Sequence, residues 1–284
     1  MSGVALVTIV HDEEAWLDAF LDHHRAIGVQ RAYVVLDRCT DRSEAVAAAR
    51  PWVTTIVRDR PESCRWLSEF QALILPDVYA RATADGFEWL AFLDVDEFAW
   101  GGPVGSTGEA EGRLDRLTAS VGPEIESIRL RTVEVVPEAI PMRTDTPERH
   151  VRVWALAHVQ PEARFDREIA DPLTGERRSL AGFLGHPRGK VLVRTGRGLV
   201  PVDAHEWRDE HGGAPPEVER GCHLHVVVAD GEHFSTKYGK LDPHPVWPDG
   251  QTVAFPKRAF VEAASALSPG RAAAYFDREV AVGS

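Results

Sequence analysis

The stretch Trp89-Leu90-Ala91-Phe92-Leu93-Asp94-Val95-Asp96-Glu97-Phe98 joins an apolar run to three acidic residues within four positions. Apolar runs of this length are typical of buried strands, and in an open α/β sheet ligands bind at the carboxyl ends of the strands. Neighbouring carboxylates repel one another unless a cation lies among them. Oxygen ligands suit hard cations such as Mg²⁺ or Mn²⁺, which bridge to substrate phosphates. The stretch therefore predicts a metal-diphosphate site.

Composition narrows the class of protein. The chain has 284 residues, of which 44% are apolar, enough for one large α/β domain with a sizeable core. Its net charge of −12 argues against a general nucleic-acid binder. No run of 18 apolar residues indicates a membrane span, and Val4 to Val10 is followed at once by acidic residues, unlike a signal peptide. The three cysteines show no pairing pattern, so we expect a cytoplasmic protein.

Strands and helices alternate in the first hundred residues, which predicts a parallel sheet with right-handed crossovers. Predicted strands cover Val4–Val10, Ala32–Leu36, Val53–Val57 and Trp89 to Asp94, and predicted helices cover Glu13–Ile27, the segment from Asp41 to Ala48 and Trp66–Ala84. Pro76 is expected to kink or interrupt the last of these helices. Asp12 and Asp41 are candidate helix caps.

The order changes after Phe98, where further short strands indicate a mixed sheet. The predicted strands are Ile125–Val136, Val151–Val159, Lys190–Arg194, Leu199–Val202 and His223–Val228. A helix over Glu232–Leu241 and a helical tail over Phe255–Val282, split near Pro269, complete the predicted elements. With no repeat and no clear linker, one compact unit is expected.

The ordered series of motifs resembles the family-2-like and family-92-like glycosyltransferases. It comprises Val7 to Glu14, His23 to Val29, Tyr33 to Asp37, Gln71, and the Asp-x-Asp-Glu-Phe segment ending at Phe98. The resemblance covers about the first hundred residues and is patchier at Gly189 to Arg194, His205 and Phe234 to Lys237. It implies a GT-A-type, Rossmann-like, mixed and mostly parallel sheet flanked by helices in a single domain. Residues 1–100 would bind the nucleotide sugar, and residues 101–284 would bind the acceptor and complete the catalytic site.

The resemblance also implies roles for individual residues. Asp94 and Asp96 would hold Mn²⁺ or Mg²⁺, and on a strand such alternate positions share one face. One more metal ligand is expected from the second half, with His205 the first choice and His225 or His223 the second. We expect the donor nucleotide to be held by residues at strand ends and on the helix before the acidic segment, namely His11, Glu13, Asp37, Arg65, Gln71, Asp94 and Lys190. Arg58, Arg60 and Arg194 are further candidates for phosphate or acceptor contacts, and Glu97 either supports the site from behind or is structural.

The predicted activity is transfer of a hexosyl group from a nucleoside-diphosphate sugar to an acceptor hydroxyl. A UDP-sugar is the first-choice donor. The acceptor class stays open among glycans, lipid-linked sugars and natural products. The resemblance favours inversion at the anomeric carbon, which requires a general base. Asp96 is predicted to lie at the reacting centre. The candidate bases are acids of the second half, namely Glu134, Asp166, Glu168, Asp203 and Glu206. Three alternatives remain open: a nucleotidyltransferase, a metal-dependent phosphohydrolase, and a non-catalytic sugar-nucleotide or glycan-binding protein. The acidic segment His11 to Glu14, where a nucleotidyltransferase usually has a basic glycine-rich loop, disfavours the first.

Overall fold

The computed structural model describes residues 3–64, 67–103, 109–135, 167–170, 174–180, 188–226, 235 and 265–279. The strands are β1 Val4–Val10, β2 Val29–Leu36, β3 Val53–Val57, β4 Trp89–Phe92, β5 Glu97–Trp100, β6 Ser127–Val135, β7 Arg167–Ala170, β8 Arg177–Leu180, β9 Lys190–Arg194, β10 Val200–Asp203, β11 Glu206–Arg208 and β12 Glu217–Val226. The helices are α1 Glu14–Ala26, α2 Ser43–Ala48, α3 Leu67–Ala84, α4 Glu109–Gly112, α5 Leu114–Ala119 and α6 Pro269–Glu279.

The main sheet has eight strands in the order β3-β2-β1-β4-β9-β6-β12-β5. The first four strands pair in parallel, whereas β9 pairs antiparallel with β4 and β6, and β5 pairs antiparallel with β12. Helices follow the parallel strands as crossover connections, as the alternation predicted. This confirms the predicted fold class, a mixed Rossmann-like sheet flanked by helices.

The parallel strands β1, β2 and β4 are largely buried, whereas β3 at the edge of the sheet is partly exposed. Every residue of β4 is buried, and β1 is buried except for the partly exposed Ile9. One face packs on α3 through a cluster that includes Val7, Val35 and Phe92 from the strands and Ile74 and Val78 from the helix. Continuous burial of this kind is typical of parallel strands with helices on both sides.

Only residues 93–96 link β4 in the middle of the sheet to β5 at its end. Four strand spacings in a flat sheet would separate the two strands by about 19 Å, whereas a fully extended link reaches only about 17 Å. This link contains a turn and is shorter still. The sheet therefore curls, and the curl brings β12 towards the acidic turn.

Residue contacts divide the chain into two compact units, one formed by residues 1–133 and 187–225 and the other by residues 134–186 and 226–284. The described part of the second unit contains the β7–β8 hairpin and α6. A hydrogen bond of 3.0 Å from the Tyr275 hydroxyl to the Ala170 carbonyl connects them. Helix α6 begins at Pro269, in agreement with the split predicted there. The predicted functional halves, 1–100 and 101–284, stay a prediction.

Helix α3 continues through Pro76, contrary to the expected interruption, because Ile74, Leu75, Val78 and Tyr79 around the proline are buried. Their packing offsets the backbone hydrogen bond that proline cannot make. The strand predicted at Val151–Val159 lies outside the described residues, as does nearly all of the helix predicted at Glu232–Leu241. Among the described helices, none is long and apolar enough to cross a bilayer.

Candidate active site

The three acids after β4 form a closed turn. Glu97 donates its backbone N–H to the carbonyl of Asp94 at 3.0 Å, and its Oε2 accepts the backbone N–H of Asp94 at 2.9 Å. Asp94 and Asp96 therefore lie in the turn between β4 and β5 and not on a strand, so the expectation that strand alternation aligns them does not apply. The turn directs their carboxylates to different partners.

A buried lysine neutralises the inner side of this turn. Lys190, the first residue of β9, lies 1% exposed with its Nζ 2.8 Å from Asp94 Oδ2 and 3.1 Å from Glu97 Oε2. Its Nζ also lies 4.8 Å from the centre of the Phe92 ring, a cation–π contact. Gly189, which precedes Lys190, lies close against β6. It has φ +69°, and a Cβ there would lie 2.1 Å from the Leu130 carbonyl oxygen, so glycine is required at this position.

These charges shift one another's protonation. Burial alone would lower the pKa of Lys190, but the Asp94 and Glu97 carboxylates raise the pKa above its ordinary value. Burial raises the pKa of Glu97, against the opposing effect of Lys190, and the charges of Asp94 and Asp96 raise it further. The Lys190 ammonium therefore stays charged, and Glu97 is easier to protonate than an ordinary glutamate.

Strand β12 brings two histidines to the same turn. Its register sets His225 opposite Glu97 and His223 opposite Ala99. His225 Nε2 lies 3.6 Å from Asp96 Oδ2, and His223 Nε2 lies 3.5 Å from Glu97 Oε1. His223 is buried, and burial, with the nearby charges of Lys190 and His225, lowers its pKa well below the ordinary value.

The residues split into an inner layer and an outer layer. Lys190, Glu97 and His223 are buried, whereas the side chains of Asp94, Asp96 and His225 are 35%, 16% and 12% exposed. The carboxylate oxygen of Asp96 and the imidazole nitrogen of His225 are spaced so that one ion about 2.1 Å from each would fit between them. The carboxylate suits Mn²⁺ or Mg²⁺ with water completing the shell, whereas an imidazole nitrogen is an unusual ligand for Mg²⁺, which prefers oxygen.

His205, the first-choice third ligand, lies beside the start of β9. Its Nδ1 contacts the Gly189 carbonyl at 2.6 Å, and its backbone N–H donates to Asp203 Oδ1 at 2.6 Å. The contacts thus place His225, the second choice, against Asp96, while His205 braces the Gly189 turn. Both assignments as metal ligands stay predictions.

The base pocket is predicted at the ends of β1 and β2, which pair in parallel. The ring of His11 contacts the Asp37 carbonyl through Nδ1 at 2.7 Å. The Asp37 carboxylate is 1% exposed and accepts the Arg60 backbone N–H at 2.8 Å and the Arg38 Nε–H at 3.2 Å. Asp37 therefore holds the two arginines after β2 and β3, and its predicted contact with a nucleoside is untested.

Glu13 lies at the start of α1, where its backbone N–H donates to Ser43 Oγ at 3.0 Å. The nearby Asp12, Cys39 and Asp41 have possible ligand atoms within 4.8 Å of one another. However, the Asp12 carboxylate accepts the N–H groups of Thr40 and Asp41, and the Asp41 carboxylate accepts those of Glu14 and Ser43. These bonds explain the acids as loop and helix caps.

Other predicted residues belong to further elements of the chain. Gln71 is buried on α3, and Glu206 pairs with Arg188 and Arg208 beside the β10–β11 hairpin. Glu134 lies in β6 and Glu168 in β7, but their side chains, together with Arg65 and Asp166, lie outside the described residues. Sequence reasoning missed the pairing of Lys190 with the acids; its only signal was a lysine at the start of a short strand whose three middle residues are apolar.

No family model matches the chain, and no curated protein matches it. Among solved structures, it is similar to glucosyl-3-phosphoglycerate synthase from Mycobacterium tuberculosis in complex with Mn²⁺, UDP and glucosyl-3-phosphoglycerate, at 18% identity and a TM-score of 0.30, over 46% of this chain and 44% of that one. The same synthase with Mg²⁺ and UDP gives the same values. A mycobacterial protein gives 16% identity and a TM-score of 0.31 over 47% of this chain and 41% of that one. The chain thus matches less than half the length of these structures.

Proposed function

We propose that the chain is a metal-dependent glycosyltransferase that moves a sugar from a nucleoside-diphosphate sugar to an acceptor hydroxyl. The observation that carries this proposal is the pairing of Asp96 with His225, partly open to solvent, at the carboxyl end of the central strand β4. This is the position at which an open α/β sheet binds its ligands. UDP is the first nucleoside diphosphate to test, because the ordered motifs of the first hundred residues resemble those of transferases that use nucleotide sugars.

A divalent ion held by Asp96 and His225 would neutralise the charge that develops on the leaving diphosphate. Lys190 keeps the Asp94 carboxylate in place and offsets part of the acidic charge. This matters because the donor diphosphate is itself anionic, and unneutralised carboxylates would repel it. The Asp94 side chain is more exposed than that of Glu97, and the proposal assigns it to the donor side.

The acceptor hydroxyl must lose a proton during transfer, and the base is proposed among the acids of the second half, with Glu134 and Glu206 first. Glu206 is paired with Arg188 and Arg208. The hexosyl type of donor and an inverting outcome belong to the same proposal. NMR of the product's anomeric carbon distinguishes inversion from retention of configuration.

A thermal-shift panel of UDP, GDP, CDP, ADP and TDP, each with and without Mn²⁺, tests the proposal. Ligand at about 100 times its Kd stabilises the folded state by about 2.7 kcal/mol, so a binding diphosphate raises Tm clearly. We expect a rise that needs both Mn²⁺ and one diphosphate, followed by release of that diphosphate from its glucose conjugate. No shift with any of these diphosphates, with or without Mn²⁺, would contradict the proposal.

A further inference from the structure

Strand β5, which carries Glu97, lies at the end of the eight-stranded sheet. It has four residues and pairs with β12 on one side. In an antiparallel pair, alternate residues turn their N–H and C=O groups away from the partner strand. A buried edge must satisfy those groups by other means.

Two consecutive histidines of α1 supply the bonds on this outer side. Ala99 donates its backbone N–H to His24 Nε2 at 3.2 Å, and its carbonyl accepts a hydrogen bond from His23 Nε2 at 2.8 Å. His24 Nδ1 in turn donates to the Phe20 carbonyl at 2.7 Å. The bonds require His24 to be neutral, with its proton on Nδ1. Burial, aided by the charge of His23, lowers the pKa of His24 well below its ordinary value, which agrees with this form.

Aromatic packing holds the same strand. Phe98, between Glu97 and Ala99, is buried among rings of α1, with centroid distances of 5.3 Å to His23, 6.2 Å to His24 and 6.2 Å to Phe20. Side chains alternate along a strand, so Phe98 and Glu97 point to opposite faces. Helix α1 thus packs against the Phe98 face of β5, while Glu97 on the other face lies near Lys190 and His223.

Register is what these contacts protect. A slip of one residue would turn Glu97 to the opposite face of the sheet, away from the ammonium of Lys190 that it approaches to 3.1 Å. Glu97 also closes the acidic turn through the Asp94 N–H. A loose β5 would therefore loosen Asp94 and Asp96 as well.

We propose that His23 and His24 are positioning residues of the candidate active site, holding both peptide groups of Ala99 so that β5 presents Glu97 and the acidic turn in one register. The positioning role rests on the proposed function, whereas the clamp on Ala99 does not. Neither histidine touches the outer, partly exposed layer of the site through these bonds. They act through the strand.

Paired amide substitutions separate hydrogen bonding from packing. In His23→Gln and His24→Gln the amide reaches the position of the imidazole Nε2, so the bond to Ala99 can form. In His23→Asn and His24→Asn the amide reaches only the position of Nδ1. His24→Asn therefore keeps the bond to Phe20 and loses the one to Ala99.

The first readout is amide hydrogen exchange of Ala99 in the full-length folded protein. We expect exchange at Ala99 to become at least about tenfold faster in His24→Asn than in His24→Gln, in line with loss of one buried hydrogen bond. Unchanged exchange in folded His24→Asn protein would overturn the clamp. If an Asn variant does not fold while its Gln partner does, the reach to Ala99 is shown to matter for the fold, and the positioning role is then tested by His23→Gln against His23→Asn.

The second readout is affinity for Mn²⁺ alone, measured by electron paramagnetic resonance. We expect Mn²⁺ binding to weaken by about tenfold in the Asn variants and by less than about threefold in the Gln variants. Val78→Ala in α3 is a control for general destabilisation and should leave the affinity unchanged. Faster Ala99 exchange with unchanged Mn²⁺ affinity would overturn the positioning role. Failure of the unsubstituted protein to bind Mn²⁺ would overturn the proposed function and the positioning role together, while the exchange data would still decide the clamp.

Discussion

The Asp96 carboxylate is the residue on which the candidate metal site most depends, because it is paired with His225 and not with Lys190. Replacing Asp96 with Ala should abolish metal-dependent binding of the donor while leaving the fold intact. Calorimetric titration with UDP and Mn²⁺ measures the first effect, and circular dichroism measures the second. Asp77→Ala, which removes an exposed carboxylate of α3, is the control and should bind normally. Unchanged turnover in Asp96→Ala would sink the metal hypothesis.

Lys190 is expected to contribute to the stability of the fold more than to the reaction itself. Lys190→Met would leave Glu97 buried without its ammonium, and breaking such a pair costs on the order of 3 kcal/mol. We expect urea denaturation to show this loss in the free energy of unfolding. The double variant Lys190→Met with Glu97→Gln removes the uncompensated charge and should recover part of the stability. Equal stability of the single and double variants would contradict the pairing.

His24 also predicts a dependence of stability on pH. Its pKa is lowered well below 6.5 in the folded state by burial and by His23, so the unfolded chain binds the extra proton as the pH falls. The contribution is complete above the unfolded pKa and is lost as the pH falls below about 6.5, at up to about 1.4 kcal/mol per pH unit. Urea denaturation of His24→Gln should therefore show a shallower loss in acid than the unsubstituted protein. Identical slopes for the two proteins would refute a buried neutral His24.

At the scale of elements, the N-termini of α1 and α2 cap each other. Asp41 accepts the Glu14 N–H at 2.8 Å and the Ser43 N–H at 2.9 Å, and Ser43 Oγ accepts the Glu13 N–H at 3.0 Å. The loops that carry His11 and Asp37 are thereby joined, so the predicted base pocket is built on two mutually capped helices.

Asp41→Ala should destabilise both helix ends and cost about 2 kcal/mol, about 1 for each cap lost. Asp41→Asn keeps one oxygen acceptor and should lose about half as much. The free energy of unfolding, measured with urea at neutral pH, checks both values. A loss in Asp41→Ala no larger than that of Asp77→Ala would show that the double cap contributes nothing.

At the scale of the whole molecule, the net charge of −12 attracts cations and repels free diphosphates. Binding of UDP should therefore be undetectable without metal. The affinity for Mn²⁺ should fall several-fold between about 20 mM and about 200 mM NaCl, because salt screens the attraction. Titration of Mn²⁺ at these two salt concentrations, with an uncharged osmolyte as control, measures this effect. A salt-independent affinity would argue that only the contacts of Asp96 and His225 set the binding.

What the sequence by itself determined is the local order: the parallel strands, the crossover helices and the cluster of acids that follows β4. These follow from apolar periodicity and from residues adjacent in the chain, which is why Val4–Val10 and the strand into Asp94 were predictable. Only the tertiary structure decided which partners meet the acids. Lys190 is 96 residues from Asp94 along the chain, and His225 reaches Asp96 because the sheet curls and sets β12 against β5. Strand pairing between distant segments depends on packing over the whole sheet, so no local pattern encodes it.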